Sequence, residues 1–143
     1  QEEIREHCPE ELFTLIMRRF MMRIASRVAQ REDCGALITG ESVGQVASQT
    51  IPAIACTDAA ASLPVFRPLI GMDKEEIVTI SRRIRTFDLS ILPYEDCCTV
   101  FTPRHPRLRP TEEALLEAEK ALDVSALTEE ALAQLRFCLI RPE

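Results

Sequence analysis

Between Pro9 and about Gln30, Phe13, Ile16, Phe20, Ile24 and Val28 recur every three or four residues. That spacing lays an apolar stripe along one helix, and such a helix is stable only when the stripe is packed against other elements. A turn signal follows, and then Gly35-Ala36-Leu37-Ile38-Thr39, a short apolar run consistent with a buried strand. A long one-sided helix feeding a short buried strand confines the chain to layered α/β arrangements.

The remaining punctuation extends the alternation. Gly40-Glu41-Ser42-Val43-Gly44-Gln45 follows the strand, and Ser42 with Gln45 has capping-box spacing, predicting a helix that ends before Pro52. Residues 53–62 are small and weakly patterned. Leu63 to Ile70 reads as extended, with Pro64 and Pro68 arguing against a central ladder position. Asp73 and Glu76 form a second capping box, opening a helix whose buried face is Ile77, Ile80, Ile84 and Phe87. Thr111 opens a helix to about Leu122, Thr128 opens a last one, and Phe137 to Ile140 is an apolar tail. Helix, strand, helix, strand, helix in this order predicts an α/β chain.

At 143 residues this is one domain's worth of chain, with no apolar run of the roughly 18 residues a membrane span needs. The six cysteines are scattered apart from the vicinal Cys97-Cys98, which is no secreted disulfide framework and places the expected compartment in the cytoplasm. A net charge of −6 excludes a chain that coats nucleic acid non-specifically. The charge is uneven, however. Arg19, Arg23, Arg27 and Arg31 fall at i+4 spacing, beside Arg18, while the chain after Pro110 is acidic. The stripe is either a solvated face or one that meets an anionic ligand in its first turns. The chain opens on Gln1 and runs at once into the long helix, so it is expected to be part of a longer protein.

Chemistry concentrates at two places. Cys97 and Cys98 lie between an acidic turn and a basic, proline-stiffened loop holding Arg104, Arg107 and Arg109. Nearby guanidiniums favour the thiolate, the nucleophilic form. Against a reactive role stand a buried free-cysteine pair, a metal site and a disulfide. Neighbouring cysteines close only a strained ring, and one His105 does not complete a zinc or iron–sulfur pattern. The second place is the strand end at Gly40, where α/β sheets bind ligands and where glycine allows close backbone approach. Glu41 speaks against phosphate there and favours a nucleoside edge, hydroxyl or amide. Capping accounts for the Asp73 to Glu76 cluster without catalysis.

Four blocks, in order across roughly residues 15–115, carry a resemblance: Arg19 to Ala25, Thr39 to Thr50, Arg67 to Ile77 and Ile91 to Phe101. Together they resemble the tRNA 4-thiouridine synthetase family, tRNA sulfurtransferases also named as thiamine-biosynthesis thiolation proteins. The resemblance implies a doubly wound parallel sheet, the PP-loop ATP-pyrophosphatase fold, with residues 1–143 as its C-terminal portion. It implies ATP, with Mg2+, adenylating a tRNA uridine, and sulfur arriving as a cysteine persulfide from a cysteine desulfurase or other donor. It further implies Cys98, or its neighbour Cys97, as the sulfur-handling thiol, and Arg19 (or Arg18), Gly40 and Gln49 as nucleotide-binding residues. Arg104, Arg107 and Arg109 are then expected to contact tRNA phosphates.

The family's glycine- and serine-rich phosphate loop is absent from these residues. The chain alone is therefore expected to be inactive, and its incomplete sheet to expose an edge or to pair in a homodimer. A different class of function is a non-catalytic nucleotide- or sulfur-relay module acting with a partner chain, and a third is a structural domain with inert cysteines. Cys98→Ser in the full-length protein should abolish thiolation while leaving adenylation, followed by thiouridine content and by AMP formation. Loss of adenylation as well would make the cysteine structural.

Overall fold

A computed structural model describes residues 1–94 and 103–140. Its elements are α1 (Glu2–His7), a 3-10 turn (Glu10–Leu12), α2 (Phe13–Arg31), β1 (Leu37–Ile38) and a second 3-10 turn (Ala47–Gln49). There follow α3 (Ile51–Asp58), β2 (Val65–Phe66), α4 (Lys74–Arg83), α5 (Phe87–Ser90), α6 (Glu112–Glu119) and α7 (Val124–Ala133). The two strands pair in parallel, Leu37 with Val65 and Ile38 with Phe66, across the α3 crossover. The chain is thus α/β with a small parallel sheet. Leu37 and Val65 turn toward α2, while Ile38 and Phe66, 74% and 61% exposed, leave the opposite face uncovered.

α2 is the axis of the fold. Its first half is buried almost all round: Phe13, Leu15, Ile16, Met17 and Phe20 join Ile4, Leu12, Ala53, Cys56 and Leu115 in the main core. Met22 and Ala29 form a second cluster with Leu37, so the apolar surface shifts around the helix along its length. Ile24 and Val28, expected on the buried stripe, are only half-buried. The helix stops in a Schellman turn. Asp33 takes φ 55°, the Cys34 amide donates to the Ala29 carbonyl at 2.8 Å and the Asp33 amide to Gln30 at 3.4 Å. The Ser26 hydroxyl accepts from the Ser62 amide at 3.1 Å, pinning the loop before β2 onto α2.

The arginine stripe divides along its length: Arg19 and Arg23 are taken up by a carboxylate, whereas Arg27 and Arg31 lie on the solvated face that was one of the two expectations. Arg19, 2% exposed, donates to both carboxylate oxygens of Glu119 at 2.9 and 3.2 Å and to the Cys56 carbonyl at 2.5 Å. Arg23 grips the same carboxylate with two further bonds, at 2.8 and 2.7 Å. Further along, Arg27 and Arg31 pair with Glu129 on α7, at the surface. The acidic C-terminal helices are therefore the counter-charge of α2.

Two helix boundaries differ from expectation. Ser42 and Gln45 cap nothing. The helix begins instead at Thr50, whose hydroxyl accepts from the Ala53 amide, with Pro52 in the first turn. Pro is at ease there because its missing N–H has no intrahelical partner to lose. The last helix starts at Asp123, which caps Ala126, five residues before Thr128. Asp73 and Glu76 do form the expected capping box, and Thr111 the expected cap of α6. Residues 137–140 form no regular element.

Burial pushes the Glu119 carboxyl up, but hydrogen bonds from Arg23 and Arg19, and then their charges, outweigh it and hold it below its ordinary 4.5. A depressed folded value means stability that is present above about 4.5 and lost as pH falls from there through the folded value. Glu119→Ala, which strands Arg19 without its counter-ion, should cost about 3–5 kcal/mol in urea unfolding. It should also flatten the acid limb of the stability curve; a loss under about 1 kcal/mol would show that the pair is not buried in solution.

Candidate functional site

β1 releases the chain at Ile38, and the next residues form one wall of a cavity of about 700 Å³. Thr39 still belongs to the ladder through its amide, which donates to the Phe66 carbonyl at 3.0 Å. Gly40 is exposed at the mouth, and a Cβ built on it would meet no atom within 4 Å. Its missing side chain leaves open space rather than relieving a clash with the protein. Met17, Met21 and Met22 of α2 contribute an apolar floor, and Ala47, Ser48 and Gln49 a second wall. Pro103, Pro106 and Arg107 close the third side.

The loop from Gly40 to Gln49 is tied down at several points. The Gln49 side-chain oxygen accepts from the Ser42 amide at 3.1 Å, and the Ser42 hydroxyl donates to the Met72 carbonyl at 2.6 Å. The Gly44 amide donates to the Gln49 carbonyl at 3.0 Å, with Gly44 at φ 82°, a left-handed conformation that glycine adopts without strain. The Thr50 hydroxyl, besides capping α3, donates to the Leu108 carbonyl at 2.8 Å. One side chain just outside the cavity thus ties together the two segments that carry its second and third walls.

Glu41 lies at the back of the site, 4% exposed. Arg18 pairs with one of its carboxylate oxygens, while Arg67 and the Thr39 hydroxyl each donate to the other at 2.8 Å. Arg18 also reaches Ser48, at 3.4 Å, and Arg67 continues to Asp58 at 2.9 Å. Burial disfavours the Arg67 charge, but hydrogen bonds to Glu41 and Asp58 more than restore it. The repulsion expected from Glu41 toward an anion is therefore offset by two guanidiniums, and it no longer counts against phosphate at this wall.

The structure brings Arg18, Gly40, Gln49 and Arg107 to one cavity. Arg19 does not reach it, being consumed by Glu119 and the Cys56 carbonyl. Arg107 lines the rim while paired with Glu11 at 3.2 Å, and the Arg104 amide donates to Glu10 at 3.1 Å. Arg109 is exposed and outside the cavity lining. Cys97 and Cys98 lie outside the described residues. Burial, then Glu119, pushes the Cys8 thiol up; at Cys56 burial outweighs the lowering by Arg19, with Glu112 and Glu113 adding to the rise. Both therefore favour the unreactive thiol form.

Sequence reasoning missed the methionine floor, Ser48 and Arg67. Adjacent Met21 and Met22 beside an arginine run were the available signal for the floor. A second cavity, of about 900 Å³ between α1, α2 and α7, holds none of the expected site residues. Among the described residues no three His, Cys, Asp or Glu side chains converge as a metal site, and no helix is long and apolar enough to cross a membrane.

Comparison with known proteins gives a consistent result. A family model described as thiamine biosynthesis protein (ThiI) matches residues 1–124. A probable tRNA sulfurtransferase of Alkaliphilus oremlandii is 57% identical over 135 residues, covering 94% of this chain and 34% of that protein. One from Moorella thermoacetica is 49% identical over 143 residues, 100% of this chain and 37% of its own. Among solved structures, a 4-thiouridine synthetase in complex with RNA and bound ATP superimposes with a TM-score of 0.86 at 38% identity, over 92% of this chain and 34% of that one. The chain spans about a third of the length of these relatives.

Proposed function

The chain belongs to the thiamine biosynthesis protein (ThiI) family, and on that premise we propose that it is the C-terminal portion of the PP-loop ATP-pyrophosphatase domain of a tRNA sulfurtransferase. The whole enzyme uses ATP to activate a uridine of tRNA and replaces its 4-oxo oxygen with sulfur. The activated oxygen leaves with AMP when the terminal sulfur of a cysteine persulfide attacks C4. A second thiol then cleaves the S–S bond to release 4-thiouridine, and an external dithiol reduces the disulfide that remains. Cys98, or Cys97 beside it, is the sulfur-handling thiol proposed within this chain. The family's link to thiamine adds a second proposed acceptor for the same sulfur, the thiazole precursor.

The observation that carries this reading is the cavity at the end of β1. Its floor of Met17, Met21 and Met22 suits a planar, polarisable base, and unfilled space over Gly40 admits a ligand edge against the backbone. Gln49 is held with its oxygen engaged, which leaves its amide N–H groups to donate. Arg18, rather than Arg19, is the arginine proposed to face the nucleotide, because it lines the cavity while Arg19 is enclosed by Glu119. These residues fit the adenosine part of ATP. The triphosphate and its Mg2+ are proposed to rest chiefly on the phosphate loop of the longer protein. Arg104, Arg107 and Arg109 are proposed to meet tRNA phosphates, with Arg107 exchanging Glu11 for the RNA.

Gly40→Ala separates fold from function. With nothing within 4 Å of the added methyl, and no positive φ to strain, the substitution should leave stability unchanged or raise it by about 0.4–1 kcal/mol. In the full-length enzyme it should nonetheless weaken ATP binding in calorimetric titration by about tenfold or more, as the methyl takes the ligand's place. Unchanged affinity would remove this cavity from the nucleotide site.

A further inference from the structure

Resting on that reading of the cavity, we propose that Glu41 is the positioning residue of the nucleotide site, acting through Arg18. A carboxylate in the wall of a site that takes an anion is a poor choice unless it has another task. The geometry supplies one. Glu41 is 4% exposed, and its two oxygens are held by three side chains from three places: Arg18 on α2, Thr39 at the end of β1 and Arg67 just after β2. Arg67 is itself fixed at its far end by Asp58, the last residue of α3. The carboxylate is thus a fixed post, and Arg18 is the movable member fastened to it.

Arginine carries a long side chain with many rotamers, and a guanidinium in an open cavity would sample several of them. Here Arg18 bonds through one terminal nitrogen to Glu41 and through the other to Ser48 at 3.4 Å. Both anchors lie in the cavity lining. The plane of the guanidinium is therefore set before any nucleotide arrives, which removes an ordering cost from binding. The same pairing offsets the Arg18 charge, so the incoming nucleotide meets a directed donor rather than a bare cation. Asn or Gln at position 41 could accept from one arginine but would turn an amide N–H toward the other.

Glu41→Gln, Arg18→Ala and the double variant in the full-length enzyme test this as a cycle, with ATP affinity by calorimetry and thermal midpoints alongside. Glu41→Gln should weaken ATP binding about tenfold, the worth of one aligned charge-assisted hydrogen bond, and should add nothing further once Arg18 is gone. If its effect is instead the same with and without Arg18, Glu41 acts on the fold alone and the proposal falls. If Arg18→Ala weakens binding and Glu41→Gln does not, the proposal falls while the nucleotide reading stands. If neither changes affinity, both fall together. Should Glu41→Gln fail to fold, Glu41→Asp keeps the charge but retracts it from Arg18, and a wild-type affinity in that variant would equally overturn the assignment.

Discussion

Everything in this fold leans on one carboxylate. Glu119 is the last residue of α6, where the helix dipole disfavours a negative charge, and it is buried as well. It is sustained by four hydrogen bonds from Arg19 and Arg23, which present two guanidinium forks to the same pair of oxygens. The dependence is mutual, since Arg19 is more deeply buried than its partner and, among the described residues, has only the Cys56 carbonyl besides. With this triad in place, α6 seals the core at Leu115, and the first half of α2 is buried almost all round.

A second ion-pair network, Arg18 to Glu41 to Arg67 to Asp58, starts one residue earlier on the same helix and runs the other way. The two arginines Arg18 and Arg19 point to different sides of α2, as neighbours about 100° apart must. One is spent on architecture and the other stands in the cavity wall. Adjacent residues of one type thus divide structure and site between them, and only the helix's angular step decides which does which.

That division explains how much was legible beforehand. The α/β alternation and the caps at Asp73 and Thr111 followed from local rules, because caps and apolar periodicity are local chemistry, whereas the parallel sheet was implied only by the family resemblance. Which of Arg18 and Arg19 lines the cavity did not follow from such rules, because it rests on Glu119, about a hundred residues away. The same holds for the arginine stripe, although the acidic stretch beyond Pro110 was a visible counter-charge. The false helix start at Ser42 shows a local rule misfiring. Ser42 gives its hydroxyl to Met72 and its amide to Gln49, so tertiary partners took both groups a cap would have used. Pro52 was read as a stop when it is a start, an ambiguity proline always carries near a helix end.

The separation between Arg19 and Glu119 also sets a clock. A chain made from its N-terminus exposes α2 long before residue 119 exists, at roughly 5–20 residues per second. For those seconds the helix carries two arginines that the finished core will enclose, with no carboxylate yet made to receive them. Enclosing them before then would leave buried charge uncompensated, so the full burial of α2 requires α6. The charges that lock the finished protein are therefore among the last of its long-range contacts to become available during synthesis.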